Sequence, residues 1–178
     1  MQGTMGSIVD RMIRAARLDP SLYEEVEADT TATGQAAIVV VASSLAAGVG
    51  SMLGVGVGGL LLATTSALLG WVVWAVLIYV VGVKVLPEPA TKSDIGEMLR
   101  VLGFASAPGI IRVLGVVHAL SGITMLIASV WMIAAMVIAV RQALDYRSTG
   151  RAVAVCLIGF AVQLIVAMIL LAPMVAAS

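Results

Sequence analysis

The sequence predicts an all-α integral membrane bundle of five transmembrane helices preceded by short amphipathic cytoplasmic helices. Three observations carry that prediction. The 178-residue chain is 61% hydrophobic and 11% charged, with a mean hydropathy of +1.12, against about 25% charged in an average soluble domain. No charged side chain lies between Asp29 and Lys84, or between Arg151 and the last residue, Ser178. Gaps of that length suit membrane helices, because about 20 apolar helical residues cross the roughly 30 Å hydrocarbon core. Finally, the basic residues cluster in alternate polar segments, the asymmetry that orients membrane helices.

From Met5 to Leu18, the apolar residues Met5, Ile8, Val9, Met12, Ala15 and Ala16 recur on one side at helical spacing, with Asp10, Arg14 and Arg17 opposite. This pattern reads as an amphipathic helix. Asp19-Pro20 supplies an N-cap and a first helical position for a second short helix through Glu27. Six acids among residues 1–29 oppose tight binding to anionic headgroups, so both helices are expected to pack at headgroup level against the bundle itself. Residues 1–33 are thus expected to form a cytoplasmic amphipathic segment, and 34–178 the membrane domain. The same N-terminal stretch lacks an apolar core followed by a small-residue cleavage site, so no cleavable signal peptide is expected.

The uncharged run from Thr30 to Val83 is too long for one span and suits two, near Gly34–Ser51 and Gly59–Val83. Glycines between Gly48 and Gly59 either form the turn between these spans or pack helices: Gly50, Gly54 and Gly58 repeat every four residues, a spacing that lets backbones approach in lipid. Leu86-Pro-Glu-Pro-Ala90 reads as a polar loop. Thr91-Lys-Ser-Asp94 reads as a capping box, and Ile95, Met98, Leu99 and Leu102 share a helical face leading into a third span from about Arg100 to Val117. A tight turn at His118–Gly122 leads to a fourth span at Ile123–Val140. After the polar loop Arg141–Arg151, a fifth span covers Ala152–Val175.

Five spans put nine of the ten basic residues, and all ten acids, on one side of the membrane. By the positive-inside rule that side is the cytoplasm, with the N-terminus in it and the C-terminus outside. Arg112 is the one basic residue directed the other way. A zero net charge gives no reason to expect a nucleic-acid partner.

The inventory for catalysis is poor. One histidine, one cysteine and no acid within any span leave no acid–base pair, no nucleophile–base dyad and no metal-ligand cluster. An enzyme is therefore not expected, nor a cofactor or metal. Gly54-Val-Gly-Val-Gly58-Gly59 has no following Lys-Ser/Thr and does not read as a phosphate loop. Cys156, without a second cysteine, reads as a small buried hydrophobe.

The candidate functional residues lie in the third span. Pro108 lacks a backbone N–H, which removes the helical partner of the Phe104 carbonyl, and Gly109 makes a bend easier. Such a break is tolerated in lipid only where polar groups or neighbouring helices satisfy it, and Ser106 and Arg112 are the nearest polar candidates. The span should therefore be kinked and buried. Arg112 lies about 18 Å along a straight helix from Arg100, within reach of the outer interface by snorkelling. The alternatives are a bond to the freed carbonyl or contact with a ligand or partner. His118, at the following turn, reads as an interfacial histidine.

Leu102-Gly-Phe-Ala-Ser-Ala-Pro108 at the head of the third span, and Arg17-Leu-Asp-Pro-Ser-Leu-Tyr-Glu-Glu-Val-Glu-Ala-Asp29 followed by Ala32-Thr-Gly-Gln-Ala36, resemble the Yip domain family of Ypt/Rab-interacting membrane proteins, prokaryotic type. The resemblance covers about Arg14 to Ala172. It implies five spans in a cell membrane and a role in membrane organisation. Eukaryotic members bind Rab-type GTPases through a long polar extension; the cytoplasmic segment here has only about 30 residues, so small-GTPase binding is not expected. The leading expectation is a scaffold or accessory subunit whose partners are membrane lipid and other membrane proteins or further copies of itself. The alternative is a small transporter or channel, with Arg112 and the Pro108 break lining a path.

Overall fold

The computed structural model describes residues 4–51 and 56–176. Among the described residues the regular structure is entirely helical. Two short helices, α1 (Thr4–Ala16) and α2 (Pro20–Ala28), precede the long ones, α3 (Thr33–Gly50) and α4 (Gly56–Tyr79). A π-helical turn, Val80–Val85, extends α4. After α5 (Ile95–Phe104) comes a ten-residue 3-10 helix, Ala107–Val116, then α6 (Ser121–Ala143) and α7 (Thr149–Ala176). Among the described residues, five stretches are long and apolar enough to cross a membrane: Thr30–Gly50, Gly56–Val85, Ile95–Val116, His118–Ala143 and Thr149–Val166.

The five stretches alternate in direction. At one end, which we call the polar end, Gln35 at the start of α3 bonds to Arg11, and Gln142 near the end of α6 bonds to Glu24. There too, Arg151 in the first turn of α7 pairs with Glu88. At the far end, Gly50 closes α3 against Arg112 and Gly115 of the 3-10 helix. The fully buried large side chains include Tyr23, Leu22 and Val26 of α2, Met98, Val101 and Phe104 of α5, and Leu144. Toward the far end, Leu61 and Leu62 of α4, Leu126 and Val130 of α6, and Leu164 and Ile165 of α7 are exposed, as expected where lipid is the solvent. Between spans the contacts are made by small residues: Ala36, Ala75, Ala135, Ala139 and Ala152 are fully buried, and Gly103 lies directly against Ala36. Close backbone approach replaces the hydrophobic drive that lipid does not provide.

Local signals explain the helix ends. Asp19 caps α2, accepting from the Ser21 amide with Pro20 in the first turn, as the sequence predicts. The capping box lies three residues later than predicted. Asp94 is itself the N-cap and accepts from the Glu97 amide, while Glu97 accepts from the Asp94 amide. Thr91 is instead a loop staple, donating to the Leu144 carbonyl 2.8 Å away and accepting from the Glu88 amide. The widened turn after α4 is held by Tyr146, whose hydroxyl lies 3.1 Å from the Gly82 carbonyl and 2.7 Å from that of Leu86. Gly56 starts α4 at φ +58°, a left-handed conformation natural to glycine.

Two expectations need correction here. The face of α1 is not divided as predicted: Val9, expected on the apolar side, is 54% exposed, while Arg11, assigned to neither side, is 8% exposed and turns inward to meet Glu25 of α2 and Asp29 just after it. The third span is not a kinked α-helix. It starts at Ile95, before Arg100, and changes helix type after Phe104. Pro108 lies in the first turn of the 3-10 helix, where a missing N–H costs no helical bond. Ser106 Oγ donates to the Gly103 carbonyl at 2.6 Å, and Arg112 donates to a sulfur, so neither serves the Phe104 carbonyl as predicted.

Candidate functional site

Runs of 3-10 helix longer than three or four residues are uncommon, and this one determines what faces the bundle interior. With three residues per turn instead of 3.6, positions three apart line up. Gly109, Arg112 and Gly115 are such positions. A Cβ on Gly109 would collide with Ser43 Oγ and lie 2.8 Å from Met132 Sδ; one on Gly115 would lie 2.6 Å from the Gly50 carbonyl oxygen. One on Gly50 would strike the Arg112 carbonyl. The 3-10 helix thus packs against α3 and α6 along a stripe of two glycines with an arginine between them.

Arg112 does not snorkel to the far end. Its side chain turns into the bundle, where Nη2 donates to Met132 Sδ at 3.0 Å and Nε is buried without a partner. Met132 is midway along α6. The guanidinium borders a cavity of about 480 Å³ between α3, α4, α6 and α7. Ser43, Ser44, Ser106, Ser129 and Gln163 put polar groups on its wall. Trp71 and Trp74 of α4 also line it. Trp71 Nε1 donates to the Leu99 carbonyl at 3.0 Å, whereas Trp74 Nε1 is buried without a partner. The Trp74 ring lies 4.7 Å from that of Phe160, tilted by 46°. A second cavity of about 40 Å³, bordered by Gly50, Gly115 and Thr124, lies against the same arginine.

The predicted residues divide accordingly. Arg112 and Ser106 line the larger cavity, and Gly109 sets the approach of its Ser43 and Met132 walls. Pro108 is buried but lines neither cavity; His118 begins the turn before α6 and lines neither. Gly50 makes the close contact expected of a packing glycine. Gly58 does not: nothing within 4 Å meets a Cβ built there. Gly54 lies outside the described residues. The tryptophans, Met132 and Ser43 were missed, because nothing in their local spacing separates a cavity wall from ordinary apolar packing.

A second charged cluster lies at the polar end. Arg11 donates to Glu25 at 2.9 Å, Asp29 at 2.8 Å and Gln35 at 3.0 Å; Arg14 pairs with Asp19 and Glu25. Arg100, 5% exposed, donates from Nε to the Val26 carbonyl at 2.9 Å, and its Nη2 bonds the Glu27 carbonyl. These are the last carbonyls of α2, otherwise without helical partners. Trp131 Nε1 serves the end of α1 in the same way, reaching the Ala16 carbonyl at 2.8 Å. Bonds from Arg14 and then Arg11 hold the Glu25 carboxyl below its usual range. Bonds from Thr31 and then Arg11 do the same for Asp29. Glu27 moves the opposite way, to about 7, through burial first and then repulsion from Glu97 and Asp145.

Among the described residues no three His, Cys, Asp or Glu side chains gather as a metal site, and Cys156 is buried and unpaired. The arrangement offers a cationic donor group in a largely apolar, open-sided cavity, which can bind and orient an anion. No curated protein and no solved structure gives a match. The family model of the Yip1 domain matches residues 18–171. That stretch takes in α2, the arginine clamp on it and all but the last turns of the five-span bundle, and on this match the chain belongs to the Yip1 domain family of membrane proteins.

Proposed function

We propose that the protein is a non-enzymatic membrane scaffold or accessory subunit that presents a fixed cap to partners in the cytoplasm. The clamping of α1 and α2 supports this reading most. Arg11, Arg100 and Trp131 tie both helices to the bundle through buried or partly buried bonds, so a surface that could have been a loose tail is a docked platform. The middle of α7 adds a membrane-embedded surface: beyond the contact of Phe160 with Trp74, Val162, Leu164, Ile165 and Val166 are exposed, which leaves room for a neighbouring helix. Purification in a mild detergent tests the reading. A homo-oligomer or a stoichiometric complex with another membrane protein is expected, and a lone monomer counts against it.

The cavity at Arg112 favours one second reading, passage of an anion through the bundle. Reconstitution in liposomes decides it. Fluxes of the wild type and of Arg112→Ala that both equal those of empty vesicles end the transport reading.

A further inference from the structure

We propose that the cavity at Arg112 binds the phosphate of an anionic phospholipid, with its acyl chains leaving through the cavity mouth into the bilayer. The charge of Arg112 has no counter-ion among the described residues. All ten acidic side chains belong to described residues, and the ion pairs they form are with Arg11, Arg14 and Arg151. The guanidinium has Met132 Sδ, a weak acceptor, as its one partner among the described residues. A cation at membrane depth is stable when paired, and a planar guanidinium matches the oxygens of a phosphate in bidentate fashion. The buried, unpartnered Trp74 Nε1 and the Ser43 and Ser44 hydroxyls add donors around the same space, enough for an anion with several acceptor oxygens.

The walls select an amphiphile. Val40, Leu102, Ala105 and Met136 would strip water from a small anion without replacing it. A lipid already has its hydrocarbon in the membrane. Ile133 and Phe160, which line the cavity, are 49% and 46% exposed on helices whose exposed surface at this depth is apolar apart from Gln163, so the mouth faces acyl chains. No acid lines the cavity to receive the cationic group of a zwitterionic headgroup; a net negative lipid fits and a neutral one does not.

Two of the three tryptophans, Trp71 and Trp74, line the cavity, so brominated acyl chains seated there quench fluorescence. The full chain is reconstituted in phosphatidylcholine vesicles containing a minor fraction of brominated phosphatidylglycerol or brominated phosphatidylcholine. The anionic lipid should quench more strongly. Arg112→Gln should weaken its apparent affinity roughly tenfold, as expected for loss of a charge-assisted pair. Gly70→Leu should do the same with Arg112 intact: Gly70 lines the cavity and nothing within 4 Å obstructs a side chain there, so this variant tests the site even if the first fails to fold. Equal quenching by the two lipids in the wild type overturns the proposal. So does excess quenching that survives Gly70→Leu, or an excess abolished by inorganic phosphate, which would make the occupant a soluble anion.

Discussion

Two arginines of the third span that turn into the bundle are treated in opposite ways. Arg100, at the polar end, spends its donors on the carbonyls of Val26 and Glu27. Arg112, within the 3-10 helix that follows, meets a sulfur and a cavity. The same side chain serves as mortar in one place and is left unsatisfied in the other. Position within a span alone therefore does not reveal an arginine's role in a membrane protein; the count of its satisfied donors does.

Substitution should separate the two most sharply. Arg100→Met leaves the C-terminal carbonyls of α2 without a partner and is expected to destabilise the protein by about 3 kcal/mol. Thermal unfolding in detergent, with proteolysis of α1–α2 as a second readout, measures the loss. Arg100→Lys should recover only part of it, since an ammonium lacks the fork that reaches two carbonyls. Next in size is Gly109→Ala, whose methyl group meets Ser43 and Met132; overpacking of this kind costs about 2 kcal/mol, read as a lowered unfolding midpoint. Arg112→Met should be neutral or stabilising by about 1 kcal/mol in detergent, because it removes an unpaired charge from an apolar site. A loss as large as that of Arg100→Met would erase the contrast.

The smallest effect concerns Glu27 and depends on pH. Its folded value of about 7 lies above the ordinary 4.5, so the folded state holds the proton more tightly. That contribution is present in full below the ordinary value and is lost as pH rises through 7. Glu27→Gln should therefore gain on the wild type as pH rises from about 5 to 8, by ~1 kcal/mol or less after solvent screening is discounted. Glu25 and Asp29, whose values are lowered, act in the other direction: their contribution is present above the ordinary carboxylate range and disappears as pH falls through the lowered values. Melting temperatures across the two ranges distinguish them.

The number of spans and their alternation were legible because charge-free runs and basic clusters are properties of whole segments. The Asp19 cap was legible because Asp-Pro has few other uses at a helix start. The capping box was placed on Thr91 instead of Asp94 because both pairs have the same spacing; only the tertiary bond from Thr91 to Leu144 distinguishes them. Pro108 correctly marked a change in the third span but suggested a bend, since a sequence does not show whether the chain will kink an α-helix or adopt another helix type. That choice decided the site. Arg112 drew attention as a lone charge, yet its direction, its glycine flanks on one stripe and the tryptophans across the cavity depend on the 3-10 geometry and on contacts between distant segments.

The 3-10 helix also makes the direction of Arg112 a matter of winding. Each residue turns ~120° in a 3-10 helix and ~100° in an α-helix, with rises of about 2.0 and 1.5 Å. Rewinding the six steps from Ser106 to Arg112 as α-helix would rotate the arginine by roughly 120° and draw it back by about 3 Å. The guanidinium would then leave the cavity without any movement of the helix as a rigid body. Torsion, more than tilt or translation, is the coordinate that holds this charge where it is.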